Sequence, residues 1–327
     1  AGYVEGIPRL GIPEQFQTDA GLGVAVQQSG AAERVREGTS LPSGIATAST
    51  WNVDLARSGG AMIGSEARAR GFNVMLAGGV NLMREPRNGR NFEYAGEDPL
   101  LAGKIVGAQI GGIQSNHIIS TIKHFAINNQ EFGRLVANAR MDDTTARTSD
   151  LLAFQIAIED SRPGAVMCAY NKVNTVYSCE NDYLLNQVLK KDWNYPGYVM
   201  SDWGGVHSTA AAINSGLDQE SGWEFDSEQY LSADNLKKAI AKKEVAPERL
   251  DDMCLRILTS MFENGLFDHP LKPQVNTDFH ANGLISQASA EEGMVLLKNN
   301  HDLLPINASV KRIAVIGGHA DVGVLSG

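Results

Sequence analysis

The chain has 327 residues, 43% of them hydrophobic and 20% charged, an ordinary globular composition with ample material for a large core. Lys plus Arg number 28 against 38 Asp plus Glu, a net charge of −10, and no basic block stands out, so a nucleic-acid role lacks its electrostatic footprint. No apolar run approaches the ~20 residues a membrane helix needs, and the three cysteines include no Cys-x-x-Cys pair, which argues against zinc.

In chain order, residues 7–13 are turn-rich and lead into an alternating stretch, 15–19, predicted as a strand ending on Asp19. Gly21 and Gly23 follow, without the third glycine and helix that a dinucleotide fingerprint requires. A helix is predicted over 49–70, closed by Gly71, and then a strand over 72–77. The outflow of that strand is unusually polar: Asn81, Arg84, Glu85, Arg87, Arg90, Glu93, Tyr94, Glu97 and Asp98. The helix predicted over 100–115 carries Ala102, Gly103, Gly107, Gly111 and Gly112, small residues suited to close packing on a sheet. A strand at 118–122 ends on Lys123-His124-Phe125, and its loop holds Asn128, Asn129, Glu131 and Arg134.

A helix over 144–160 with an apolar face leads to a strand at 165–169 that ends on Tyr170. The helix over 183–192 returns the chain to Tyr198-Val199-Met200, an apolar run typical of a buried parallel strand, which ends on Ser201-Asp202-Trp203. Beyond it we expect a helix at 208–215, a short strand from Gly216, and helices at 236–241 and 249–264, with Pro247 opening and Gly265 closing the last.

Strand–helix alternation predicts an α/β fold with a parallel sheet. The organisation we expect is a (β/α)8-like, TIM-type barrel over 1–266, a linker over 267–288, and the beginning of an α/β sandwich over 289–327. Residues 312–318 would form the first strand of that second unit. With no initiator Met and a new unit only begun, the chain reads as a fragment of a longer protein.

Successive strands thus end on Asp19, on the Arg84/Arg90 loop, on Lys123-His124, on Tyr170 and on Asp202. The C-terminal rim of a parallel barrel gathers such residues into one pocket. Carboxylates that accept from hydroxyls, cations that donate to them and a flat indole, Trp203, are the chemistry of polyol recognition, with Asp202 able to attack an anomeric carbon. Plainer roles stand beside these: Asp202 capping a helix, Lys123-His124 as a rim pair, Arg84 and Arg90 ordering their loop through Glu93, Glu97 or Asp98, and Tyr170 as core. We read His207 and Asp218 as structural. Cys168 and Cys179 bracket a short polar loop and would either bridge in an oxidising compartment or remain free thiols.

Gly89-Arg90-Asn91-Phe92-Glu93 with Glu97-Asp98-Pro99, then Lys123-His124-Phe125, then Met200-Ser201-Asp202-Trp203, resembles glycoside hydrolase family 3, its β-glucosidase branch in particular. The resemblance runs from about Pro8 to the end of the chain. It implies a barrel followed by an α/β sandwich and hydrolysis of β-linked glucosides with retention of configuration. It further implies Asp202 as nucleophile, with Asp19, Arg90, Lys123, His124, Arg134 and Tyr170 holding the sugar and Trp203 flanking it. No cofactor or metal is implied, and the general acid/base would be a glutamate of the protein's own C-terminal domain, outside this chain.

Two departures bear on this. Val24-Ala25 stand where many members carry an arginine, and Ala126-Ile127-Asn128-Asn129 argues against the branch that uses a His/Asp dyad. The expected partner is a β-glucoside or oligosaccharide, with no nucleic acid or membrane; a homodimer is left open, and a periplasmic or secreted location is favoured. A β-xylosidase and a non-catalytic sugar-binding barrel are the competing readings.

Overall fold

The computed structural model describes residues 2–19, 21–25, 38–272, 277–321 and 323. Strand β1 (Tyr3–Val4) lies antiparallel to β2 (Gln15–Asp19). Helices α1 (Gly44–Ala48) and α2 (Val53–Ala69) lead to β3 (Val74–Leu76), and α3 (Pro99–Gln114) leads to β4 (Ile119–Phe125). Strand β5 (Asn138–Ala139), α4 (Asp143–Thr148) and α5 (Asp150–Ser161) precede β6 (Ala165–Cys168). A hairpin of β7 (Lys172–Val173) and β8 (Val176–Tyr177) and a wide π-type helix, Tyr183–Asp192, come before β9 (Tyr198–Ser201). Helices α6 (Ala210–Asn214), α7 (Ala233–Ala241), α8 (Pro247–Glu263) and α9 (Phe279–Glu292) follow.

The main sheet has the order β1-β2-β3-β4-β6-β9, and every pair from β2 onward is parallel. Parallel strands taken in chain order and joined by helical crossovers are the winding of a TIM-type barrel. Side chains along β3, β4, β6 and β9 are buried throughout, as strands covered on both faces must be. Their alternation sorts them: Val74, Leu76, Ile119, Ala165, Met167, Tyr198 and Met200 form one core, while Ile122, Val166, Cys168 and Val199 pack with residues of α3 and α5.

Several predicted elements differ in the structure for local reasons. The helix expected over 49–70 begins at Val53, where the Asn52 side chain accepts from the backbone N–H groups of Asp54 and Leu55. The helix expected over 144–160 is two, broken at Ser149. There the Thr148 and Ser149 hydroxyls donate to the Thr144 and Thr145 carbonyls, competing with the helix ladder. The expected helix at 208–215 contracts to α6, and the strand expected from Gly216 becomes a single parallel bridge, Met200–Gln219. Asp218 at that turn is engaged instead by Lys190 at 2.9 Å, Arg249 at 2.6 Å and the Val199 N–H at 2.8 Å.

The small residues of α3 serve helix–helix contact rather than the sheet. A Cβ on Gly112 would lie 2.1 Å from the Arg57 carbonyl oxygen, and one on Gly60 of α2 2.1 Å from that of Gln109, so only glycine allows this crossing. Residues 267–288, expected as a linker, contain most of α9, which is capped by Asp278 and tied to the barrel. Asn282 donates to Glu66 at 2.6 Å, the Ser286 hydroxyl donates to the Ser40 carbonyl at 2.6 Å, and Ile285 packs on the core of α2. Residues 312–318, expected as a strand, are exposed and have no sheet partner among the described residues, so no ladder orders them.

Candidate active site

Strand β4 ends at the centre of the rim, and its register on β6 shifts between Ile122 and Phe125. Regular alternation would send Lys123 and His124 to opposite faces; the irregularity lets both join one polar cluster. The Lys123 ammonium donates to Asp19, on β2, at 2.7 Å and lies 3.6 Å from Glu93. Burial lowers the Lys123 pKa, but Asp19 and Glu93 outweigh it, so the net shift is upward and the amine stays charged. Arg90 donates to Glu93 at 2.5 Å and to His124 Nε2 at 2.8 Å.

His124 is held from three sides. Its backbone N–H donates to Asn81 at 2.7 Å, Asn81 donates back to its carbonyl at 2.9 Å, and Tyr94 Oη lies 3.1 Å from Nδ1. Burial, then Arg90 and Lys123, push its pKa well below the usual histidine value, so the ring is neutral. A guanidinium has no lone pair to offer, so Nε2 is the acceptor and Nδ1 carries the proton toward Tyr94. The 3.6 Å approach of Nε2 to Asp202 Oδ2 is therefore not an ion pair.

Asp202 follows β9 and is 2% exposed. Its backbone N–H donates to the Cys168 carbonyl at 3.1 Å, and the Trp203 N–H donates to Oδ1 at 2.9 Å. Oδ2 is buried and accepts no hydrogen bond among the described residues. Burial pushes the Asp202 pKa up to about 6 against the pull of Arg90, Tyr170 and Lys123. A carboxylate oxygen left open inside a ring of donors is ready for an electrophilic carbon or a ligand hydroxyl.

Tyr170 is 6% exposed, and the Arg134 guanidinium lies over its ring at 4.5 Å. Burial and the Asp202 charge push the Tyr170 pKa up, so its hydroxyl remains a donor. Arg134 is itself held by Glu131 at 2.7 Å. Cys168 is bridged to Cys179, with Cα atoms 5.2 Å apart, which pins the loop that presents Tyr170. Trp203 is set by Gly222: at φ +61, a Cβ there would fall 1.2 Å from the indole Cδ1.

The structure thus gathers Asp19, Arg90, Lys123, His124, Tyr170 and Asp202 into one connected cluster, with Arg134 and Trp203 on its flanks. Glu93, Tyr94 and Asn81 complete it; the sequence placed them in the polar outflow of β3 without assigning them this work. Arg84 corrects an expectation: it bonds Asp150 at 2.6 Å, because Glu93 is taken by Arg90 and Asp98 caps α3 through the Leu101 N–H. Glu220, near in sequence, is occupied by the N–H groups of Tyr230 and Leu231.

The family model of the glycosyl hydrolase family 3 N-terminal domain matches residues 9–260. Thermostable beta-glucosidase B of Acetivibrio thermocellus is 35% identical over 319 residues, covering 96% of this chain and 41% of that protein. Probable beta-glucosidase K of Emericella nidulans is 36% identical over 327 residues, covering 98% of this chain and 38% of the relative. Among solved structures, beta-glucosidase 3B from Thermotoga neapolitana in complex with alpha-D-glucose superposes with a TM-score of 0.84 at 31% identity, covering 93% of this chain and 43% of that one. DesR, a beta-glucosidase from Streptomyces venezuelae in complex with D-glucose, gives 0.84 at 35% identity, with 93% and 39% covered. The chain therefore spans about two fifths of the length of these relatives. With the matched model covering most of a TIM-type barrel whose rim carries this cluster, the chain belongs to glycosyl hydrolase family 3.

Proposed function

We propose that this chain is the barrel of a retaining β-glucosidase in which Asp202 attacks the anomeric carbon of a terminal, non-reducing glucose. The observation that carries this reading is the Asp202 carboxylate: buried, with Oδ2 open, and surrounded by groups that donate to hydroxyls. Lys123 and Asp19 form a donor–acceptor pair suited to vicinal hydroxyls, and neutral His124 and Arg90 offer a second such pair. Tyr170, kept protonated by burial and by the Asp202 charge, holds a hydroxyl donor beside the carboxylate.

Departure of the aglycone needs a second carboxyl ~5–5.5 Å from the nucleophile. Asp19, Glu93 and Glu131 on the rim are each bonded to a cation, and Glu220 is bonded to backbone amides. We assign the acid/base to a second domain that would begin near residue 289 and pack over the rim. The Cys168–Cys179 bridge favours an oxidising, periplasmic or secreted location.

The test is trapping of the complete enzyme with a 2-deoxy-2-fluoro glucoside. Mass spectrometry should find the sugar on the peptide that contains Asp202, and a label on any other peptide removes the assignment.

A further inference from the structure

Outside the pocket, one buried carboxylate touches both loops that carry the sugar-binding arginines. Asp150, in the first turn of α5, is 1% exposed. Its Oδ2 accepts from Arg84 at 2.6 Å and its Oδ1 accepts from Asn129 at 2.7 Å. Arg84 lies on the loop that ends in Arg90, and Asn129 on the loop that ends in Arg134. Those loops also meet at the rim, where a Cβ on Gly89 would stand 3.8 Å from Glu131 Cγ. Among the described residues, no direct bond joins Asp150 to the cluster around Asp202.

We infer that Asp150 is a positioning residue that sets the spacing of Arg90 and Arg134 across the sugar by fastening their loops, through Arg84 and Asn129, to one point on α5. The inference rests on the β-glucosidase reading for its ligand but not for its geometry. Arg90 is already bonded to His124 and Arg134 to Glu131, and the Asp150 carboxylate, which accepts from both loops, adds a tie between the loops themselves. Placement errors of about 1 Å far from the chemistry can cost about 100-fold in rate.

The break at Ser149 fits this role. By ending α4 there, the chain starts α5 on Asp150 and directs its carboxylate to the loops, where the nearby amides at the helix start favour negative charge.

The experiment compares Asp150→Asn and Arg84→Ala in the complete enzyme. Arg84→Ala leaves the buried Asp150 charge without its cation, whereas Asp150→Asn removes the charge and keeps an acceptor, so circular dichroism must show the variants folded and either folded variant carries the test. Glucose binding by calorimetry should weaken about 10- to 100-fold in either variant. kcat/KM on an aryl glucoside should fall in step, and the pH at which activity is half lost should not move, since Asp202 is untouched. The double variant should lose little beyond the worse single one. Hydrogen exchange should quicken together in 84–91 and 126–136.

Glucose affinity within twofold of the parent in either folded variant, or exchange that quickens in one loop alone, overturns the inference. Should the parent itself neither bind glucose nor cleave the glucoside, the β-glucosidase reading fails, and the paired exchange response still decides for or against the tether.

Discussion

Replacing Asp202 with Asn should abolish turnover and at the same time make the folded protein more stable at neutral pH. The carboxyl titrates at about 6 in the fold against an ordinary 3.8, and burial is the leading cause. A rise from 3.8 to about 6 corresponds to about 3 kcal/mol. Because the folded value is the higher one, the stability tied to this group is fully present below pH ~4 and is lost as pH rises through about 6. Above that, the protein holds a buried charge that the unfolded chain would solvate.

An asparagine carries no such charge. It keeps the acceptor for the Trp203 N–H and places an amide donor near His124 Nε2, which is an acceptor. Denaturant unfolding of parent and Asp202→Asn at pH 4 and pH 7.5 should therefore show the variant gaining about 2–3 kcal/mol relative to the parent between the two conditions. In the complete parent enzyme, kcat/KM should fall as pH drops through about 6, where the nucleophile is protonated. A stability difference that stays flat with pH, or that moves against the variant as pH rises, would show that Arg90 and Lys123 outweigh burial and would refute the reasoning.

Asp218→Ala strands Lys190 and Arg249 at a 3% exposed position and should cost about 3–5 kcal/mol in the same unfolding assay, with an effect under 1 kcal/mol arguing that the network is dispensable. Opening the Cys168–Cys179 bridge, which closes a sequence separation of 11, should cost roughly 2–3 kcal/mol. It should also raise KM through Tyr170, and two free thiols in the unreduced, denatured protein would show that no bridge forms. Residues 1–327 alone, checked for folding by circular dichroism, should retain activity best on dinitrophenyl glucoside and least on cellobiose, because leaving-group protonation is worth about 10²–10⁴-fold. Cellobiose cleavage near the full-length rate would place the acid/base within this chain.

The barrel strands and their terminal residues were legible because each depends on short-range pattern. Apolar runs such as Tyr198-Val199-Met200 reveal strands buried on both faces, and the residue that follows such a run lies on the rim. Asp19, Lys123, Tyr170 and Asp202 follow from that rule alone, and the motifs around Arg90 and Asp202 carried the family resemblance. Partnership was not legible. Arg84 had three acidic candidates within its own loop, yet its partner, Asp150, lies on another element. The neutral state of His124 arises from Arg90, Tyr94 and burial together, none of which its neighbours in sequence reveal.

The same divide explains the helical errors. Glycines on α3 announce close packing, but only the crossing with α2 and α5 says against what. The break at Ser149 and the docking of α9 onto α2 depend on hydroxyl and amide bonds that periodicity does not register. Periodicity records which residues avoid water, and so by itself it determined the strands and the rim, while the resemblance of the motif around Asp202 supplied the candidate nucleophile. Which charges meet, which proton His124 keeps and how far the Asp202 pKa rises depend on distances between chain segments far apart in sequence, and the tertiary structure alone decided them.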